Sequence, residues 1–186
     1  MGNYVYFNGR KLRYGYTTGS SATAATKAAL LLLLGKVKKI EEVEIDVPAG
    51  ERIKIGIKSF EKTKDYAMAT VVKDGGDDPD VTHGLEIVSK VSFRKDNKIN
   101  IFGGKGVGKV TKVGLPVEVG KSAINPTPMK MLTNIVEEFL PNGKGVDVEI
   151  SVPLGEEAAK KTMNAKLGII GGISILGTMG IVRPMS

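Results

Sequence analysis

Cysteine is absent from this 186-residue chain, and histidine occurs once, at His83. Without thiols there is neither a disulfide nor a thiolate zinc site, and a single imidazole excludes a histidine-rich metal centre. Aromatic residues make up only 5% of the chain, too few for the stacking platforms of single-strand nucleic-acid binders. Long apolar runs are missing as well. The longest, Ala28 to Leu34, is far short of the ~20 residues that span a bilayer. The opening stretch from Met1 to Lys11 is polar with scattered aromatics rather than a secretory signal. The expectation is a cytoplasmic protein with no membrane partner and no nucleic-acid partner.

What is abundant is glycine, 24 residues, and positive charge, a net +7 from 27 basic and 20 acidic side chains. Frequent glycine means tight turns and close backbone approaches. A basic surface favours anionic partners, whether nucleic acid, acidic lipid or a polycarboxylate small molecule. The signs are segregated. Lys98, Lys105, Lys109 and Lys112 follow one another without an acid between, while Asp74, Asp77, Asp78 and Asp80 form an acidic knot.

Hydrophobic patterning predicts a helix over 20–34, capped by Thr18 or Ser20 and stopped at Gly35. Alternation predicts strands over 43–47, 52–57, 66–72, 85–93, 98–102 and 146–152, with Arg94-Lys95-Asp96-Asn97 as a hairpin turn. A second helix is expected over 126–140 with Asn125 as its cap and its prolines in the first turn, a short helix over 156–163, and a glycine-interrupted strand over 167–175. Val43-Glu44-Ile45-Asp46-Val47-Pro48-Ala49-Gly50-Glu51 recurs as Val148-Glu149-Ile150-Ser151-Val152-Pro153-Leu154-Gly155-Glu156, so two strands are expected to end in the same turn chemistry. The fold class is α+β: a two-layer domain over 1–186, with a mixed, mainly antiparallel sheet of about seven strands and about three helices.

Three stretches carry chemistry. Thr17-Thr18-Gly19-Ser20-Ser21 runs into an alanine-rich helix, and the free N–H groups and hydroxyls of such a start either cradle an anion or build a tight turn. Gly103-Gly104-Lys105-Gly106-Val107-Gly108-Lys109 matches the opening of a phosphate-binding loop, but Val110 replaces the magnesium-binding hydroxyl and no helix follows. Lys105 and Lys109 then read as a cationic loop, either touching an anionic ligand or simply solvated. In the third, Asp77, Asp78 and Asp80 are suited to a hard cation or to Asx turns. His83 is suited to proton transfer or to a structural bond.

Five motifs occur in order: Gly15-Tyr16-Thr17-Thr18-Gly19-Ser20; Gly76-Asp77-Asp78-Pro79-Asp80-Val81-Thr82-His83-Gly84; Gly106-Val107-Gly108 with Thr111-Lys112 and Gly114-Leu115-Pro116; Ala123-Ile124-Asn125-Pro126; and Gly168 to Ser186 with Gly171-Gly172-Ile173-Ser174-Ile175-Leu176-Gly177-Thr178. Together they closely resemble the cobalt-precorrin-5B C(1)-methyltransferase family (CbiD), from about Leu12 to Ser186. The resemblance implies methyl transfer from S-adenosylmethionine to carbon 1 of an anionic cobalt-tetrapyrrole in cobalamin biosynthesis. The substrate cradle would be Thr17, Thr18, Gly19, Ser20, Ser21 and Asp77, with Lys105 and Lys109 nearby and Gly171, Gly172 and Thr178 as one wall. His83 and Asp78 would be the catalytic groups, and no metal site is implied. Two residues depart from the family's habit: Ser21 stands where cysteine is usual and Met179 where threonine is usual. The resemblance also implies a further C-terminal α/β domain; if the cofactor or part of the substrate binds across both halves, this stretch alone is inactive, and the expected protein partner is that missing domain or a second copy in a homo-oligomer. Two rivals stand beside this reading, a basic nucleic-acid-binding module and a non-catalytic assembly domain.

Overall fold

A computed structural model of the chain describes residues 4–77 and 79–184. Asp78 lies outside the described residues. In chain order the strands and helices are β1 (Tyr4–Phe7), β2 (Arg10–Arg13), β3 (Gly15–Tyr16), α1 (Thr18–Leu33), β4 (Glu42–Asp46), β5 (Arg52–Gly56), β6 (Ser59–Lys62), β7 (Tyr66–Val72), β8 (Glu86–Arg94), β9 (Ile99–Gly103), β10 (Gly106–Val107) and β11 (Lys109–Val110). There follow α2 (Pro126–Phe139), β12 (Gly145–Ser151), α3 (Gly155–Ala159), α4 (Asn164–Leu167), β13 (Ile169–Ile170), β14 (Gly172–Ile173) and β15 (Ile181–Val182). The architecture is the expected α+β arrangement. A five-stranded sheet runs β6-β7-β8-β12-β9, with only the β12–β9 pair parallel.

Alternation explains the layering. On β7, Ala67, Ala69 and Val71 are buried, and on β12, Val146, Val148 and Ile150 are fully so, while their neighbours along each strand are more exposed. α1 packs against this face of β7 and β8. Its alanines 22, 24, 25, 28 and 29 are fully buried and let the backbone come close. Thr26 and Ser89 share a hydroxyl–hydroxyl bond of 2.7 Å across the contact, so both buried oxygens are satisfied. α2 packs against α1, and the antiparallel β4–β5 hairpin also meets α1. α1 is therefore enclosed on most of its circumference, as the all-round apolar run at its C-terminal end requires. It ends at Gly35, which has the expected positive φ of 71°.

The predicted hairpin between the strands at 85–93 and 98–102 does not form. β12 inserts between β8 and β9, antiparallel to the first and parallel to the second. The reason is burial. β12 carries three fully buried β-formers on one face and suits a central position, whereas β9 is half-exposed along its length and suits an edge. The parallel β9–β12 pair needs a crossover, which α2 supplies.

The expected strand over 167–175 is broken by its glycines. α4 ends in a left-handed Gly168, β13 pairs with β11, and after Gly171 the chain switches partner so that β14 pairs with β10. The echoed Val-Pro-x-Gly segments share one feature, a backbone bond of 2.9 Å from the glycine N–H to the valine carbonyl, at Gly50–Val47 and at Gly155–Val152. They then diverge: the first opens a hairpin strand and the second opens α3. No helix among the described residues is long and apolar enough to cross a membrane.

Candidate functional site

The start of α1 is closed by the C-terminal segment 174–180. Gly19 N–H donates to the Leu176 carbonyl (3.0 Å), and Thr17 N–H to the Gly180 carbonyl (3.2 Å). Ser20 N–H donates to Thr17 Oγ1 (3.1 Å), making Thr17 the N-cap rather than Thr18 or Ser20. The hydroxyls are engaged too. Thr18 donates to the Leu176 carbonyl (3.2 Å) and accepts from Leu176 N–H (3.0 Å); Ser20 donates to the Gly180 carbonyl (2.7 Å), and Ser21 to the Thr17 carbonyl (2.8 Å). Gly177 and Gly180 allow this crossing: both have positive φ, and a Cβ would collide with Thr17 at the first and with Val47 at the second. At the helix mouth expected to cradle an anion, the N–H groups of Thr17, Gly19, Ser20 and Ser21 and the hydroxyls of Thr18, Ser20 and Ser21 are thus engaged inside the fold, and Ser20 and Ser21 are fully buried.

Beside this closure lies a cavity of about 270 Å³. Thr17, Thr18, Lys73, Asp80, Val81, Thr82, Thr162, Asn164, Ile173, Ser174, Leu176 and Val182 line it. It brings together the helix start, the 80–82 loop and the C-terminal segment. Sequence reasoning missed its central group. Lys73 is only 3% exposed, and its ammonium donates to Thr82 Oγ1 (2.8 Å) and Asp80 Oδ1 (3.2 Å). That same Asp80 oxygen also accepts from the Thr82 N–H (2.8 Å) and hydroxyl. Burial pushes the Asp80 carboxyl upward, but the Thr82 bonds and Lys73 hold it below the usual range. The available sequence signal was a lysine at the inward end of a strand pattern, directly before the acidic knot.

His83 and Asp77 serve the junction next door. His83 Nδ1 accepts from Gly75 N–H (3.0 Å), while the side chain is 45% exposed and does not line the cavity. Asp77 accepts from Arg13 N–H (2.7 Å). Arg13 forks onto Asp74 at 2.6 and 3.0 Å and holds that carboxyl below its ordinary range. Asp80 closes an Asx-type turn onto Thr82, and no metal-binding cluster of His, Cys, Asp or Glu occurs among the described residues.

The remaining candidates are dispersed. Lys105 is exposed in the β9–β10 loop, where no helix follows. Lys109 lines a groove of about 620 Å³ with β9 and the 116–122 loop. Gly172 is buried in β14, and Gly171 is exposed. Thr178 lines a cleft of about 520 Å³ between α1, α2 and β4, whose walls carry Lys27, Lys130, Arg52, Glu44, Asp46 and Glu138 around Ile45, Val47, Met131 and Ile135.

A family model described as CbiD matches residues 5–184. A cobalt-precorrin-5B C(1)-methyltransferase of Alkaliphilus metalliredigens is 54% identical over 186 residues, covering 100% of this chain and 49% of its own. The protein of the same name from a Thermoanaerobacter species is 55% identical over 183 residues, covering 98% of this chain and 50% of its own. A crystal structure described as the cobalamin biosynthesis protein cbiD of Archaeoglobus fulgidus is 37% identical with a TM-score of 0.72, over 98% of this chain and 58% of that one. The chain spans about half the length of the curated relatives it matches. With the family's match running through the helix closure, the 80–82 loop and the C-terminal glycines alike, this chain belongs to the CbiD family.

Proposed function

We propose that the chain forms the N-terminal part of a cobalt-precorrin-5B C(1)-methyltransferase and takes part in moving a methyl group from S-adenosylmethionine to carbon 1 of the cobalt-bound macrocycle. The observation that carries this reading is the 54% identity maintained over 186 residues with a relative of that name. The physical chemistry supports it. The net charge of +7 suits a substrate fringed with acetate and propionate arms. Methyl transfer depends on in-line placement more than on acids or bases, so the dearth of histidine and cysteine is no obstacle.

The 520 Å³ cleft between α1, α2 and β4 has a donor set that fits S-adenosylmethionine. Asp46 and Glu138 would meet hydroxyl and ammonium groups, Lys130 and Lys27 a carboxylate, and Ile45, Val47, Met131 and Ile135 an apolar ring. When bound there, the cofactor supplies an electrophilic methyl group. The chain's own residues hold and orient it. The 270 Å³ cavity and the cleft both border the start of α1 and the segment that closes it: Thr18 and Leu176 line the cavity, Thr23 and Thr178 the cleft. In this reading the cavity receives an edge of the macrocycle. His83 and Asp77 support the loop that carries Asp80, rather than transferring protons.

The test is methyl-labelled S-adenosylmethionine with cobalt-precorrin-5B, using the chain alone and the chain supplemented with the C-terminal half of the Thermoanaerobacter relative. Label appearing at carbon 1 in the supplemented reaction, and failing to appear when Lys130 is replaced by glutamate, is the expected result. Absence of transfer in a reaction where the intact relative is active would overturn the reading.

A further inference from the structure

Lys73 and Ser174 each have a hydrogen-bond donor that the fold does not use. A lysine ammonium has three N–H donors. Lys73 spends two, on Thr82 and Asp80, and no third acceptor is found among the described residues. The Ser174 hydroxyl accepts from the Asn164 amide at 3.4 Å and likewise has no acceptor for its own proton. Both side chains are more than nine-tenths buried, at 3% and 7% exposure, and both line the 270 Å³ cavity. The other polar groups of the wall are committed. Thr18 bonds Leu176, Thr162 donates to the Ala159 carbonyl, and the Asn164 amide donates to the Gly172 carbonyl and to Ser174.

An ammonium held out of water is costly unless its donors are satisfied. Asp80 compensates it only partly, because its side chain is 62% exposed and all three of the groups it accepts from meet the same Oδ1 oxygen. Besides these committed polar groups the wall carries Val81, Ile173, Leu176 and Val182. A positive group and a hydroxyl on the wall of a small recess that also presents valines, an isoleucine and a leucine match an aliphatic carboxylate, whose two oxygens take the two donors while its methylenes meet the apolar side chains. The cavity volume is below the roughly 300–1,000 Å³ of pockets that enclose a whole small molecule, so an arm enters and the body of its owner stays outside.

We infer that this cavity is a seat for one short-chain carboxylate, anchored on Lys73 Nζ and Ser174 Oγ. The inference rests on the reading that the cavity meets the substrate edge, and it names the chemistry of that meeting. Two sources carry such a group: the acetate and propionate arms of a cobalt corrinoid, and the methionine end of S-adenosylmethionine.

The test begins with butyrate, titrated against the methyl-labelled chain and followed by NMR, with butyramide as the uncharged control. Butyrate is expected to shift the methyl signals of Val81, Ile173, Leu176 and Val182, and butyramide to leave them in place. Lys73→Met should weaken butyrate at least about tenfold and Ser174→Ala about threefold. Asp80→Asn should tighten it, because the competing negative charge is gone. Equal responses to butyrate and butyramide would overturn the seat, as would wild-type affinity in Lys73→Met. Weakening by Asp80→Asn as large as that by Lys73→Met would also overturn it, because the pair would then be structural only. Displacement of bound butyrate by cobyrinic acid, and not by its fully esterified form, identifies a macrocycle arm as the occupant. Displacement by S-adenosylmethionine alone identifies the methionine end. If neither displaces it, the seat stands and the substrate-edge reading of the cavity falls.

Discussion

At the scale of single residues, positions that look alike in sequence differ sharply in what surrounds them. Gly35 and Gly106 both have positive φ, 71° and 79°. Around Gly35 there is open space, whereas a Cβ on Gly106 would overlap the Val152 carbonyl. Alanine at Gly35 therefore costs only the left-handed backbone, about 1 kcal/mol. Alanine at Gly106 also forces β10 away from the 152–155 turn and costs roughly 3 kcal/mol or more. Urea unfolding of the two variants measures the gap. Tyr16 supplies a second residue-scale prediction. Burial, followed by the nearby Asp74 charge, pushes its phenol up from 10.0 to about 12 while its hydroxyl donates to the Val72 carbonyl. The folded state therefore holds this proton more tightly than the unfolded chain does. That stability is fully present below pH 10.0 and is lost as pH rises through about 12. Alkaline unfolding should begin within that window, and Tyr16→Phe should flatten the decline there.

At the scale of elements, caps separate what a pattern announces from what the fold uses. Thr17 accepts the Ser20 N–H, while Asn125, the cap expected for α2, makes no side-chain cap bond. Thr17→Ala should cost about 1 kcal/mol and Asn125→Ala less than about 0.5 kcal/mol, a difference that thermal unfolding resolves. Element positions were legible because local rules govern them. The Ala-Leu run and Gly35 marked α1, Pro126 marked the start of α2, and the alternating valines and alanines marked β7 and β12 within a residue or so. Partner choice was not legible. The insertion of β12 between β8 and β9 follows from which strand buries three residues most completely, a comparison between segments some 50 residues apart. The 167–175 run failed for a related reason. Glycines that read as interruptions of one strand are hinges at which the backbone changes partner, from β11 to β10. Lys73 escaped notice because its one sequence signal, a place at the inward end of the β7 pattern, does not say whether a long side chain buries its ammonium or carries it out to solvent.

At the scale of the whole molecule, the motif order carried the family, and family membership says which stretches matter without saying which side chains face solvent. The hydroxyl run at 17–21 stands out in the sequence, yet most of it holds the chain to itself: Ser20 and Ser21 bond within the fold, and Thr17 and Thr18 reach the wall of the 270 Å³ cavity. The closure of α1 also sets a schedule for synthesis. The carbonyl that receives Thr18 belongs to a residue 158 positions later. At roughly 5–20 residues per second, a ribosome takes on the order of ten seconds to produce it. Throughout that interval the nascent helix has an unfinished N-terminus and an uncovered alanine- and leucine-rich surface, while the strands meant to cover it are still emerging. The start of α1 is thus closed only once residues 174–180 have been made, and a nascent chain halted before Leu176 should be held by chaperones and cut readily by proteases.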